Sequence, residues 1–342
     1  MRKIIAIILL NRKGYFSGSC RSLRIISILL ILTLSFFYAC KGKEESAKTL
    51  IIYTLKGPSG VGMVRLLEEL PQIKVFDVRV EVLANADLMA ARFISGEAKV
   101  GILPANMAAK IASSGRGVQA AATIGMGMLS LLSSDPDARS IKDLRGKRVE
   151  VAGQGATPDH LFRRILRGYD LEPGTDVTFG YSLTYPEIAQ SLVAGRVSIA
   201  LLPEPFTTMA LLNKPDLKQI ADIQAEWVAA CGTGNYPMTL LVVDGEFALV
   251  NTDAIGKISD AIKSSIEWVI AHPVEAGALA EKHGLGIKAD VVAAAVPKSN
   301  YKFIPAVEAR SSIEELFKIF LENDPASIGG SLPDNEFYWQ AK

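Results

Sequence analysis

The side chains of this 342-residue chain that could do chemistry cluster just after apolar runs, and most are amides, hydroxyls and acids. They are Ser59, Asn85, Asp87, Asn106, Gln154, Thr157, Asp159, Tyr185, Glu204, Asn235 and Tyr236, with Lys56, His160 and Arg163 as the nearby bases. Such a set recognises a ligand by hydrogen bonds and lacks the arrangements that break bonds. His160, His272 and His283 show no His-Glu-x-x-His or Cys/His metal spacing. There is no Gly-x-x-x-x-Gly-Lys-Ser/Thr loop and no Gly-x-Ser-x-Gly elbow. Gly153-x-Gly155-x-x-Pro158 has Pro where a dinucleotide fingerprint needs Gly or Ala. No catalytic residue, metal or cofactor is assigned, and the chain is not read as an enzyme. Glu204 and Asp87 could accept from ring N–H or amino groups, while Tyr185, Phe206 and Tyr236 could form an aromatic wall.

Each residue also has a plain structural reading. Asp87, Asn106, Thr157 and Tyr185 stand near helix starts, where an Asn, Asp or Thr N-cap is worth about 1 kcal/mol, and Pro158 then fits the first helical position. Met126, Met128 and Trp268 read as packing, Trp227 as core or crevice. Cys231 reads as a small buried apolar residue.

The elements that would position these groups alternate. Strand-like runs at 49–55, 78–83, 100–103, 118–124 and 129–132 are interleaved with helical patterns at 60–70, 87–94 and 106–113. A second block has strands at 148–151, 177–179 and 198–202 and helices at 158–167, 185–194 and 206–212, followed by a buried strand at 239–243. Helical patterns follow at 253–271, 274–283, 289–295 and 313–321. Strands separated by helices predict parallel pairing in an α/β fold. Segments 94–104 and 193–203 repeat one another: laid with Gly96 on Gly195, Pro104 and Pro203 each fall eight residues later. The repeat predicts two similar lobes. Ligands of open α/β sheets bind beyond the carboxyl ends of the strands. Here those ends carry Gly57-Pro58-Ser59, Asn85–Asp87, Asn106, Gln154–Thr157, Tyr185 and Glu204.

Charge is nearly balanced, 37 Lys+Arg against 36 Asp+Glu, which argues against a nucleic-acid partner. Residues 1–39 hold six of the bases and no acid. Within them Arg21 and Arg24 precede an apolar run at 25–39, which as a helix would rise about 22 Å, short of a hydrocarbon core. Its end, Tyr38-Ala39-Cys40, resembles a bacterial lipobox with Phe37 at the usual Leu position. The resemblance implies a signal peptide at 1–39, an acylated Cys40 and a tether at 40–48. Three cysteines make no disulfide framework.

Four segments carry a wider resemblance: Gly96–Pro104; Ser140-Ile141-Lys142-Asp143-Leu144-Arg145-Gly146-Lys147-Arg148-Val149; Gly153–Pro158; and Leu202-Pro203-Glu204-Pro205-Phe206. Together they resemble the NMT1/THI5-like substrate-binding proteins of ABC importers, which include sulfonate, taurine, nitrate and thiamine-pyrimidine binders. The resemblance implies a two-lobed type II periplasmic-binding-protein fold, two doubly wound sheets joined by two crossing strands. Lobe 1 would span 49–135 plus 240–342, and lobe 2 136–239. It implies a lipid-anchored monomer in the periplasm or at the outer face of the cytoplasmic membrane. Its partners would be a small-molecule ligand, a permease with a separate ATPase, and the membrane through Cys40. The ligand-binding residues expected are Gly57, Pro58, Ser59, Asn85, Asp87, Asn106, Gln154, Ala156, Thr157, Tyr185, Glu204 and Tyr236. Scarcity of bases favours a pyrimidine or vitamin-like nitrogen heterocycle. The alternatives are a sulfonate, taurine or nitrate-type anion, and a same-fold enzyme or sensor lipoprotein.

Overall fold

The computed structural model describes residues 47–231 and 234–340. The expected signal peptide, Cys40, the tether up to residue 46 and the side chain of Cys231 lie outside the described residues. In chain order the body runs β1 (Lys48–Leu55), α1 (Pro58–Gly62), β2 (Phe76–Leu83), α2 (Ala86–Ser95), β3 (Val100–Pro104), α3 (Ala105–Ser113) and β4 (Val118–Met126). It continues β5 (Leu129–Ser133), β6 (Arg148–Val151), α4 (Thr157–Gly168), β7 (Thr178–Gly180), α5 (Tyr185–Val193), β8 (Ile199–Pro203), α6 (Phe206–Asn213), β9 (Lys218–Asp222) and α7 (Ile223–Cys231). Last come β10 (Pro237–Asp244), α8 (Gly245–Val250), α9 (Thr252–Ala271), α10 (Pro273–Lys282), α11 (Ala289–Ala295), β11 (Tyr301–Pro305) and α12 (Ala306–Asn323).

Two sheets result, one ordered β11-β4-β10-β3-β1-β2 and the other β7-β6-β8-β5-β9. The chain crosses from the first to the second between Met126 and Leu129 and returns between Asp222 and Pro237. β5, within the span expected for lobe 1, thus hydrogen-bonds in the second sheet. The central strands are apolar on both faces because helices cover both sides: β5 and β8 are buried throughout, and β3 up to Pro104.

The sheets are mixed, not all parallel. β1 pairs in parallel with β2 and β3, and β6 with β7 and β8. β10 runs antiparallel to β3 and β4, β11 to β4, and β5 to β8 and β9. The antiparallel members are the crossing strands and the late strand β11, which arrive from the opposite direction. The helix expected at 60–70 stops early, as α1 and a 3₁₀ turn at Val64–Leu67. Two glycines explain the packing there: a Cβ on Gly60 would lie 2.6 Å from the Leu55 carbonyl, and one on Gly62 3.1 Å from the Tyr301 ring.

The repeat is real in space. Gly96 closes α2 in the left-handed region at φ +80°, and Gly195 follows α5 at φ +70°. Four residues after each, β3 and β8 begin, and each strand ends on its proline. At the end of the first sheet's strands away from the crossings, the buried Asp244 carboxylate of the interior strand β10 accepts from Lys99 Nζ (3.0 Å), Arg116 (3.3 Å) and the Phe247 N–H (2.9 Å). A groove of about 1300 Å³ opens there, lined by Arg116, Gln119, Leu249 and the C-terminal segment from Ile328.

A left-handed conformation costs a non-glycine residue about 1–2 kcal/mol. Gly195→Ala should lose about that much in urea unfolding. Gly96→Ala should lose at least as much, since its Cβ also meets the Arg116 guanidinium.

Candidate functional site

The carboxyl ends of β1, β3, β6 and β8 meet where the two sheets face each other. β1 ends at Gly57, whose φ of +92° suits glycine and whose Cβ position lies 3.5 Å from the Phe206 ring at the start of α6. Phe206 stacks on Tyr185, with centroids 6.0 Å apart and planes at 19°. The Tyr301 hydroxyl donates to the Pro58 carbonyl at 2.8 Å. Pro58 and Ser59 open α1, with Ser59 buried.

A second group forms around the β6–α4 loop. The Asp159 carboxylate, almost wholly buried, accepts the Gly155 N–H (2.9 Å), Arg163 Nε (2.7 Å) and the Tyr181 hydroxyl (2.8 Å). Arg163 also donates to the Tyr181 hydroxyl at 2.7 Å and lies over the Phe179 ring. Burial, with the neighbouring Asp159, pushes the Tyr181 phenol up to about 12. The Gly155 carbonyl in turn accepts from Asn106 Nδ2 at 3.3 Å, a bond from one sheet's strand ends to the other's. Asn106 Oδ1 and Thr157 Oγ1 are buried with no hydrogen-bond partner. Thr157 is not the N-cap expected of it: Ala156 holds that position, no side chain caps the helix, and Pro158 falls one residue later than expected.

Glu204 lies 3% exposed between β8 and α6. Its backbone N–H donates to the Met128 carbonyl (3.0 Å), and its carboxylate accepts the Thr208 N–H (3.1 Å). Burial pushes its pKa above the ordinary glutamate value; Thr208 and the charge of Lys298 oppose that without cancelling it. The acid is thus inside the fold and not solvated between its prolines.

Not every expected residue joins these groups. Asn85 caps α2 by accepting the Leu88 N–H at 3.0 Å, and both it and Asp87 are exposed after the edge strand β2. Gln154 is exposed beside Gly155. Tyr236 is fully buried, edge-on to Trp227 at 5.4 Å, and Trp227 is therefore core. Both lie under the crossing at Gly127, whose N–H donates to Asn235 Oδ1 (3.0 Å) and whose carbonyl accepts from Asn300 Nδ2 (2.8 Å). A Cβ on Gly127 would lie 2.7 Å from the Tyr236 ring. Met126 and Met128 are buried as expected of packing residues. Sequence reasoning missed Tyr181, Thr208, Asn300 and Tyr301. The four-residue spacing Glu204–Thr208 was the available signal for Thr208; Tyr181, Asn300 and Tyr301 had none.

Among the described residues no group of three or more His, Cys, Asp or Glu side chains could hold a metal, and no helix is long and apolar enough to cross a membrane. Two α/β sheets, crossed twice by the chain and meeting at their strand ends, define the two-lobed periplasmic-binding-protein fold. Residues 76–276 match the NMT1/THI5 like family, and the chain belongs to it. A crystal structure of an ABC transporter protein from Parabacteroides distasonis is 25% identical, covering 86% of this chain and 100% of its own, with a TM-score of 0.73. The periplasmic aliphatic sulphonate binding protein SsuA of Escherichia coli is 19% identical over 87% of this chain and 94% of its own, at 0.68. The periplasmic nitrate-binding protein NrtA of Synechocystis PCC 6803 is 11% identical over 82% of each chain, at 0.63. No curated protein matches the chain.

Two outcomes follow. Asp159→Ala removes the partner of a half-buried guanidinium and the anchor of the Gly155 N–H. Hydrogen bonds to charged groups are worth about 1.5–3 kcal/mol, so urea unfolding should show a loss of about 2–3 kcal/mol and amide exchange at Gly155 should accelerate. Glu204, with its raised folded pKa, contributes fully below the ordinary glutamate value of about 4.3, and that contribution is lost as pH rises through the folded pKa. E204Q should therefore match the parent at pH 4 and exceed it in stability at pH 8; equal stability at both would contradict the buried-acid reading.

Proposed function

We propose that this chain is the solute-binding component of an ABC importer, closing on a small molecule between the lobes built on its two sheets. Family membership and the fold shared with ABC transporter binding proteins support this reading. The crossings near 127–128 and 223–236 would act as the hinge, and ligand would stabilise the closed form by touching both lobes. We infer lipid anchoring through Cys40 after loss of residues 1–39, which places the protein in the periplasm or at the outer face of the cytoplasmic membrane. The unmatched partners are a permease and its ATPase, and the protein works as a monomer.

For the ligand, the preferred class is a nitrogen heterocycle presenting N–H donors, pyrimidine-like or vitamin-like. The observation that carries this is the charge of the site. Its buried acids are Asp159, paired with Arg163, and Glu204, which stands two residues before Phe206 of the Tyr185–Phe206 ring pair. Asn106 Oδ1 is an acceptor without a donor, and Thr157 Oγ1 also lacks a partner. A second reading is an anion of sulfonate or nitrate type. It is supported by the N-terminus of α4, where no side chain caps the helix and backbone N–H groups favour negative charge, and by the likeness to sulphonate- and nitrate-binding proteins.

Calorimetric titration against thiamine pyrimidines, flavins, sulfonates and nitrate separates the two. A heterocycle should bind, and E204Q should weaken it tenfold or more, the value of about 1.5–3 kcal/mol for a charge-assisted bond. An anion bound alone, and bound more tightly by E204Q, would overturn the preference.

A further inference from the structure

Three large apolar side chains stand exposed where the described body begins. Val75, Leu249 and Val250 are 61%, 68% and 77% exposed. The Lys48 N–H donates to the Val75 carbonyl at 3.2 Å, and Lys48 pairs in register with Phe76. The Phe76 ring lies 5.6 Å from that of Phe247, which shares the six-residue α8 with Leu249 and Val250. Val75 and α8 thus flank the point where the polypeptide enters the first sheet, with Leu249 also lining the groove described above. Lys48 and Lys74 are exposed beside it. Of the acids there, Asp77 is engaged by Arg79 at 2.8 Å and Glu246 is exposed.

Single exposed apolar residues are ordinary on any surface, whereas a contiguous patch marks a contact. We propose that this face rests on a lipid bilayer. Val75, Leu249 and Val250 enter the boundary between headgroups and acyl chains, and Lys48 and Lys74 meet anionic headgroups. The proposal rests on the lipid-anchored reading of Cys40. Seven residues separate Cys40 from Lys48, so the fully extended chain reaches at most about 28 Å. An acylated Cys40 therefore holds this face within reach of the membrane at high effective concentration, and a weak patch suffices. β1 runs from this face to Gly57, so the crevice would stand about 25 Å above the bilayer, the length of eight strand residues.

The test uses the full lipid-modified chain purified from the producing cells. It is reconstituted in phosphatidylethanolamine–phosphatidylglycerol vesicles whose acyl chains are brominated, which quenches tryptophan on contact. V250W should lose at least half of its added fluorescence, and L212W, exposed on α6 of the second sheet, should lose none. Adding K48E and K74E to V250W should restore the signal in vesicles without changing flotation. If the protein floats with the vesicles and V250W stays bright, docking is overturned while the anchor stands. If it does not float, both the anchor and the docking fall. If V250W changes only with protein concentration and not with lipid, the patch binds a second copy and the proposal is wrong.

Discussion

The Gly155 peptide joins the two halves of this molecule. Its N–H is held by the Asp159 carboxylate of α4, and its carbonyl receives the Asn106 amide from the start of α3. Gly155 sits at φ +72°, which a side chain would strain, so the loop can offer both groups in these directions only as glycine. Asp159 has little freedom, being fixed by Arg163 and Tyr181. Asn106 Nδ2 is committed to Gly155, while its Oδ1 is buried with no partner. An unpartnered buried acceptor is costly in a low-dielectric interior and valuable once a donor arrives. The same logic applies to Thr157 Oγ1. In the proposed binding mode, selectivity would thus start from a bond that no ligand touches.

Where the chain announces itself by punctuation, the sequence was readable. Gly96 and Gly195, each followed by a buried strand and a proline, located β3, β8 and the helices before them, because a left-handed helix cap and a strand-ending proline admit few residues. β9 (Lys218–Asp222) and β11 (Tyr301–Pro305) were not readable. Both are short, partly exposed edge strands, so neither gives a continuous apolar run. The strand directions were also out of reach: β5 and β10 run against their neighbours because the chain changes sheets, which local pattern does not record. At the site, Gly57, Asn106, Thr157, Tyr185 and Glu204 were legible as strand-end polar or aromatic residues. Asn85 has the same local signature but follows the edge strand β2 and spends its side chain on a helix cap. Position in the sheet, unavailable to a one-dimensional reading, separates them.

In the proposed reading, the buried acid Glu204 carries more discriminating weight than the fold does. Proteins 11–19% identical to this one share its architecture, among them sulphonate- and nitrate-binding proteins. A buried carboxyl two residues before a stacked Phe206 imposes a different electrostatic demand. Closure of the proposed hinge would remove water and strengthen every interaction with Glu204, whichever sign it has. A negative ligand would have to tolerate that carboxyl as a protonated neighbour, whereas a donor-bearing ring would complete it.

One feature of the first sheet lies far from this chemistry. The outer side of β4 is occupied twice, by β11 along residues 122–125 and by the C-terminal segment, where Tyr338 bridges Ala120 and the Trp339 N–H donates to the Ala120 carbonyl at 2.9 Å. The last stretch of the polypeptide therefore works as a selvage, hemming a length of strand that would otherwise present free amides to any passing chain. A protein trimmed before Asp334 would keep its crevice but lose that hem, and its fault would show first as self-association.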